Sequence, residues 1–162
     1  MPGRFLVRRF RASDLDRILT IEHASFGEDA YDRNLFAEYA RECGALFLVV
    51  ERASRVWGYM LTCRGGRGDI SRAEIISIAV DPAARAKGAA SVLMDSTLRR
   101  LRLRKIPRLD LMVRTTNVPA LAFYKKYGFR KVRIIRRYYE DDADALLMTR
   151  TETTPLTRPK QQ

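Results

Sequence analysis

Apolar and polar positions change period several times along the chain, and each change marks an element. Phe5 to Phe10, FLVRRF, alternates as a strand does. From Asp14 to about Phe26 the positions Leu15, Ile18, Leu19 and Ile21 or Glu22 follow helical spacing, and Ser13 stands as the N-cap. A second helix is predicted from about Asp32 to Arg41, with Leu35, Phe36, Tyr39 and Ala40 on its apolar face. ALFLVVE and VWGYMLTC flank a turn at Ala53 to Arg55, a hairpin signal, and a loop with Gly65, Gly66 and Gly68 follows. AEIISIAV, Ala73 to Val80, is almost continuously apolar, which predicts a central strand covered on both faces. Past Pro82 and the loop AARAK, a long helix runs from Gly88 to about Lys105. It buries Ala90, Leu93, Met94, Leu98 and Leu101, and it crowds Arg99, Arg100, Arg102, Arg104 and Lys105 into its last turns, where cations suit the helix dipole. A strand at Leu109 to Arg114, a helix at Asn117 to Tyr127 closed by Gly128, and strands near Phe129 to Arg136 and Ala145 to Thr149 complete the pattern. No internal repeat is visible.

The 162 residues suffice for one domain of ordinary size. Residues 1–150 are expected to form it, and the polar, proline-containing 151–162 a disordered tail. No apolar run approaches the roughly 20 residues of a membrane helix. The N-terminus, with Arg4, Arg8, Arg9 and Arg11 and no uninterrupted apolar stretch, lacks the pattern of a secretory signal. A cytoplasmic protein without membrane contact is expected. Cys43 and Cys63 lack CxxC spacing and, with the single histidine His23, do not make a zinc set. Both thiols are expected to be small buried hydrophobes, and His23 to be structural or exposed. The 31 Lys and Arg against 19 Asp and Glu give a net charge of +12, which predicts attraction to nucleic acid, anionic membrane, acidic protein or a phosphate-rich ligand.

Candidate chemistry begins where the central strand joins its helix. VDPAARAKGAAS places small residues and cations around a helix N-terminus, whose unpaired N–H groups and positive dipole end make an anion site. Gly88 lets a bulky pyrophosphate approach the backbone, Ala89 and Ala90 keep side chains out of its way, and Arg85 and Lys87 add charge.

Three blocks in order carry a family resemblance. Arg85, Ala86, Lys87, Gly88, Ala89, Ala90 follow a strand ending IAVDP; VRTTNVPALAFYKKYGF holds Asn117 and Tyr124 ahead of Gly128 and Phe129; and YYEDDADALLM supplies a Tyr-Tyr and Asp-Ala pair. Over residues 5 to 150 the chain resembles the GNAT superfamily of acetyl-CoA-dependent N-acetyltransferases, and within it the branch of ribosomal-protein (RimI-type) and other protein N-terminal acetyltransferases. The resemblance implies an α/β fold: a mixed central sheet of about seven strands, splayed between the fourth and fifth, with about four flanking helices. It implies acetyl-CoA as co-substrate and no metal. Backbone groups of Ile78, Ala79 and Val80 would pair with the pantetheine arm, Arg85, Ala86, Lys87, Gly88, Ala89, Ala90 and Ser91 would hold the pyrophosphate, and Asn117 would fix the cofactor while capping its own helix.

By the same resemblance Tyr124 is the general acid, a phenol protonated at neutral pH that can protonate the leaving thiolate. The base departs from the pattern, because Met112 stands in Leu111, Met112, Val113, Arg114 where the branch carries Glu. Glu74 is the nearest substitute, with Asp110 and Ser77 weaker candidates. An α-amine with pKa near 7.8 is roughly a quarter neutral at pH 7.4, whereas a lysine near 10.4 is about 0.1% neutral, a difference of roughly 3.5 kcal/mol. A weakened base therefore favours an α-amine acceptor, or Glu74 in the missing role. Tyr138 and Tyr139 would line the peptide entrance, one of them facing it since neighbours on a strand point apart, and Tyr31 with Glu28 would form another wall.

The expected function is transfer of acetyl to a protein N-terminal amine, for which a ribosomal protein is a candidate acceptor, by a monomer or weak dimer. A small-molecule or lysine-side-chain acetyltransferase is the alternative within enzymes. The alternative from another class is a basic ribosome- or nucleic-acid-binding module with a vestigial cofactor site, resting on the cations of the long helix and of RIIRRYY. Nucleic-acid contact is otherwise read as secondary.

Overall fold

The computed structural model describes residues 3–65 and 70–152. Gly66, Gly68 and the tail from 153 onward lie outside the described residues. Along the chain run β1 (Leu6–Arg9), α1 (Leu15–Phe26), α2 (Arg33–Cys43), β2 (Phe47–Arg52), β3 (Arg55–Arg64), β4 (Arg72–Val80), α3 (Ala89–Leu103), β5 (Arg108–Arg114), α4 (Val118–Lys126), β6 (Arg130–Ile135) and β7 (Ala145–Thr151). The strands form one mixed sheet in the order β1-β2-β3-β4-β5-β7-β6, antiparallel throughout except where β4 and β5 lie parallel. The predicted α/β architecture, with β4 at its centre, is the one observed.

What positions the site is the incomplete pairing of β4 with β5. The two strands match only from Arg72↔Arg108 to Ile75↔Leu111. Beyond that, β5 continues beside β7 alone, and Ile76 to Val80 have only β3 as a strand neighbour. The cause is visible one strand over. Between Leu61↔Ser77 and Thr62↔Ile75 the β3–β4 register shifts, leaving Ile76 as an extra residue. A bulge raises local twist and bends its strand, which turns the second half of β4 away from β5 and opens the sheet there.

The two faces of the sheet carry separate cores. In β2, Phe47, Leu48, Val49 and Val50 are all fully buried and alternate between them. Leu48 and Val50 join Met60, Leu93, Met94, Leu98, Leu111 and Tyr124 under α3 and α4. Phe47 and Val49 join Ile18, Ile21, Phe36, Tyr59, Leu61 and Ala79 under α1 and α2. Each such side chain contributes on the order of 1.5–3 kcal/mol by leaving water.

Three local expectations change. Ser13 does not cap α1: Ala12–Asp14 form a 3-10 turn, and the Asp14 carboxylate, held by Arg8 through two 2.8 Å bonds, accepts the Arg11 N–H at 2.8 Å. A carboxylate already anchored by a guanidinium is the stronger local acceptor. The cysteines are not free hydrophobes. Cys43, the last residue of α2, meets Cys63 near the end of β3 with Cα atoms 5.0 Å apart, and they form a disulfide. A separation of 20 residues gave no sign that α2 would lie across β3. Tyr138 and Tyr139 lie in the turn between β6 and β7, not on a strand, so strand alternation does not govern them. Among the described residues no helix is long and apolar enough to cross a membrane.

Candidate active site

The open edge of β4 and the N-terminus of α3 meet at a cavity of about 210 Å³, walled by Val80, Arg85, Ala86, Gly88, Ala89, Ala90 and Ser91, with Ala84 and Phe123 completing it. Asp81 fixes the join. Its carboxylate accepts the Ala83 N–H at 2.8 Å and pairs with Arg17 of α1 at 2.6 Å. Ala86 and Gly88 both take positive φ, 61° and 90°, so the loop turns sharply as it enters α3. At Gly88 an added Cβ would meet nothing within 4 Å, so the cradle is open at its centre. The first helical bond of α3 runs from the Val92 N–H to the Gly88 carbonyl at 3.0 Å, and the amides before it point out of the helix end. Arg85 folds back onto the Val80 carbonyl and Ser25 Oγ, both at 3.3 Å. A phosphate chain fits such a cradle of small residues and outward amides.

Ile78, Ala79, Lys87, Asn117 and Tyr124 are not walls of this cavity. Ile78 and Ala79 lie on the open strand leading to it, and Lys87 is exposed on its loop. Asn117 caps α4, its Oδ1 accepting the Ala120 N–H at 3.3 Å. Tyr124 is buried, in edge-to-face contact with Phe123 and Phe129 at 5.5 and 5.6 Å. Burial first, and then the nearby Tyr139, push its phenol above the usual range, so it holds its proton at every physiological pH.

On the α1–α2 side of the cleft, residues from distant segments converge. Tyr138 and Tyr139 pack ring to ring at 5.0 Å, and both influence Tyr31, whose phenol is pushed up to about 12 by burial and then by Tyr39, Glu22 and these two tyrosines. Glu74 is half-buried on β4, between Cys63 on β3 and Asp110 on β5. Burial raises its carboxyl above the ordinary range, Arg72 opposes this and Asp110 adds to it. Tyr39 and Tyr138 in turn feel its charge, so the carboxyl and the aromatic wall share one space. Asp110 is committed elsewhere, to Thr149 Oγ1 at 2.6 Å, Arg108 at 2.9 Å and Arg72 at 3.5 Å. Glu28 and His23 are exposed. Among the described residues no group of three or more His, Cys, Asp or Glu gathers as a metal site.

Two features escaped the sequence. Arg114, at the end of β5, pairs with Asp29 and Asp141 at 2.9 Å each and lies over the Tyr139 ring at 4.1 Å. It ties the α1–α2 loop to the β6–β7 loop, and nothing in its spacing announces this. Glu22 is 1% exposed, accepts the Tyr31 N–H at 3.2 Å and receives the Tyr59 hydroxyl. Its signal was legible: a carboxylate within the apolar stripe of a helix.

A model of the Acetyltransferase (GNAT) family matches residues 13–129. The chain belongs to that family. It is therefore an acetyltransferase, and the vestigial binding module is set aside. Among curated relatives it is 32% identical over 155 residues to an N-alpha-acetyltransferase of Saccharolobus solfataricus, covering 90% of this chain and 92% of the relative. Among solved structures it is similar to Ard1 from Thermoplasma volcanium, with a TM-score of 0.87 and 32% identity over 93% of this chain and 99% of that one. The ribosomal-protein-S18-alanine N-acetyltransferase from Escherichia coli superposes with a TM-score of 0.80 over 96% of this chain and 99% of that one. At 22% identity, that last likeness speaks for the fold alone.

Proposed function

We propose that this GNAT protein moves acetyl from acetyl-CoA to the N-terminal α-amine of a protein. The observation that carries the reading is the opened sheet: the second half of β4, unpaired on its β5 side, leads into the cavity at the start of α3, and Tyr31, Tyr138 and Tyr139 gather within electrostatic reach of one another and of Glu74 on the same strand. The name of the Saccharolobus relative supports the same acceptor class. Acetyl-CoA supplies an acetyl thioester when bound.

The chain's residues would then divide the work. Backbone groups of Ile78 to Val80 on the edge turned away from β3, where Arg85 also reaches the Val80 carbonyl, align the donor as an added strand does, and the amides at the start of α3 hold its phosphates. Tyr124, kept neutral by burial, holds a proton for the leaving sulfur. Glu74, its carboxyl held above the ordinary range by burial, faces the acceptor side, where it can bind the amine or accept from it. The tyrosine wall suits an extended peptide end, whose backbone offers hydrogen bonds and whose first side chains pack on rings.

The test has two parts. Acetyl-CoA is expected to raise the melting temperature at saturating concentration, and no shift would defeat the reading. A panel of peptides with free and blocked N-termini is expected to show acetylation of free ends, peptides beginning as ribosomal proteins included. Acetylation of blocked, lysine-bearing peptides alone would move the assignment to a lysine acetyltransferase.

A further inference from the structure

Met112 leaves the fifth strand without a base, and Asp110 is spent on its neighbours. A third carboxyl lies behind the cleft. Glu22 accepts the Tyr59 hydroxyl through Oε2, and Tyr59 Oη lies 2.9 Å from Ser77 Oγ, with either oxygen able to donate. Ser77 is half-buried on β4, two residues past Ile75, where the pairing with β5 ends. It precedes Ile78, the first of the residues expected to meet the donor. The chain of three groups thus runs from inside α1, through β3, to the mouth of the opened sheet.

We propose that Ser77, Tyr59 and Glu22 form a buried proton relay, in which the proton released by the acceptor amine enters at Ser77 and comes to rest on Glu22. This rests on the acetyl-transfer reading above, but holds for any amine acceptor. As the amine nitrogen bonds the acetyl carbon it gives one proton to Ser77 Oγ. The Ser77 hydroxyl proton passes to Tyr59 Oη, and the Tyr59 proton to Glu22 Oε2. The carbon–sulfur bond breaks with its electron pair on sulfur, which takes the Tyr124 proton. One C–N bond replaces one C–S bond, and exchange with water then returns Glu22 to carboxylate and Tyr124 to phenol.

The geometry allows both end states. With Glu22 charged, Ser77 donates to Tyr59 and Tyr59 to the carboxylate. With Glu22 neutral, the same three oxygens bond in the reverse sense, which the Tyr59–Ser77 contact permits. The Tyr31 N–H stays on Oε1 in either state. Burial pushes the Glu22 carboxyl up to about 7, opposed by that N–H, a range where a group both takes and returns protons near neutral pH. Tyr59 on β3, Ser77 on β4 and the loop residue Tyr31 face it. The other charged groups of the packed elements, Asp16, Arg17 and His23 on α1, Arg33, Glu38, Arg41 and Glu42 on α2, Arg55 and Arg64 on β3, Arg72 and Glu74 on β4, and Glu28 and Asp29 in the loop between α1 and α2, do not bond to its carboxyl. A buried carboxylate without a cation is costly. A mere structural pin for Tyr31 and Tyr59 would need no ionisable group there.

Glu22 acts through Tyr59 and Ser77, as a positioning residue with a titratable end, so its test needs a readout that packing alone would not move. The whole chain is used with E22Q, Y59F, S77A and E74Q. Without any acceptor, the melting temperature of E22Q relative to the wild type is expected to climb between pH 5 and 8, because a carboxyl raised by folding stabilises the native state only while protonated. A gap that stays level across that range overturns the relay, whatever the fate of the acetyl-transfer reading. With whichever amine the wild type acetylates, E22Q, Y59F and S77A are each expected to lower kcat roughly 100-fold and to erase its rise through pH 7. The KM for acetyl-CoA is expected to stay unchanged. Two acceptors whose amines titrate differently separate the enzyme's limb from the acceptor's. E74Q is expected to keep the limb; its loss in E74Q alone, or its survival in Y59F or S77A, overturns the relay. S77A disturbs the core least and decides the matter if E22Q fails to fold. A wild type that acetylates no amine defeats the functional reading and leaves the relay to the stability titration.

Discussion

On the donor side of the cleft the groups that would meet a ligand are main-chain: the unpaired edge of Ile78 to Val80 and the amides opening α3. On the acceptor side they are side chains, Tyr31, Glu74, Arg114, Tyr138 and Tyr139, drawn from four separated stretches, with Glu22, Tyr59 and Ser77 behind them. The difference has a physical root. Donor recognition by backbone needs only a bend in a strand and small residues at a helix start, so it tolerates change at most positions. Recognition by side chains fixes each identity separately and depends on loops being held at the correct distance.

The sharpest way to break this division is Tyr124, a side chain assigned to the donor half. Removing its proton while keeping its ring, as Tyr124→Phe, is expected to lower kcat by about 10²- to 10⁴-fold. The melting-temperature rise caused by acetyl-CoA should persist, because Tyr124 does not line the cavity. A loss under tenfold would return Tyr124 to the apolar core in which it is packed.

Next in size is the bridge from α2 to β3. Closing a loop across 20 residues is worth about 3 kcal/mol in the chain-entropy account, which for a chain of this length corresponds to roughly 6–12 °C in melting temperature. Reduction, or Cys43→Ala with Cys63→Ala, is expected to cost that much. Because Cys63 lies beside Glu74 in the β3–β4 pairing, the acceptor KM should rise while the affinity for acetyl-CoA holds. Equal damage to both halves would mean that the two are not separable. The cytoplasmic location expected from the N-terminus and this bridge pull in opposite directions, since disulfides are rare in reducing compartments, and a thiol titration of protein drawn from reducing and oxidising hosts weighs one against the other.

A smaller effect tests the backbone half directly. Gly88 sits at φ 90° with open space around a would-be Cβ, so Gly88→Ala is expected to cost stability by only about 1–2 kcal/mol of left-handed strain. Its affinity for acetyl-CoA should fall by more than that strain explains, since the new methyl group would stand where the phosphate chain approaches. Affinity that follows stability alone would remove the cradle from the donor site.

What the sequence made legible follows the same division. The strand IAVDP, the small residues through Ser91 and the left-handed Gly128 were readable because backbone geometry leaves marks in local composition. The splay was expected from family resemblance, while its cause, the extra residue Ile76, depends on register and has no local mark. The disulfide and the reach of Arg114 to Asp29 and Asp141 join residues far apart in sequence, where spacing carries no information. Glu22 lies between these cases. Its place in the buried stripe of α1 was visible, but its partners Tyr59 and Ser77 belong to strands whose pairing only the fold supplies.

Arg114 gives the weakest effect and the finest discrimination. Its two ion pairs reach carboxylates that are well exposed, Asp29 and Asp141, and such pairs hold loops more than they stabilise folds. Arg114→Met keeps most of the aliphatic stem and removes the charge, so the melting temperature should barely move while the acceptor KM rises a few-fold and kcat stays close to its original value. Salt then separates the two grips that Arg114 has on the wall. Exposed ion pairs weaken as the screening length shrinks toward 3 Å at 1 M ionic strength. If the carboxylates set the loop positions, wild type and variant should converge as salt is added, the wild type losing the pairing that the variant never had. If the guanidinium over the Tyr139 ring sets them, the gap should survive high salt, because a cation resting on an aromatic face at short range in a half-buried site is screened far less. Convergence would place the control of acceptor binding in the charges of the two loops, and persistence would place it in the tyrosine wall.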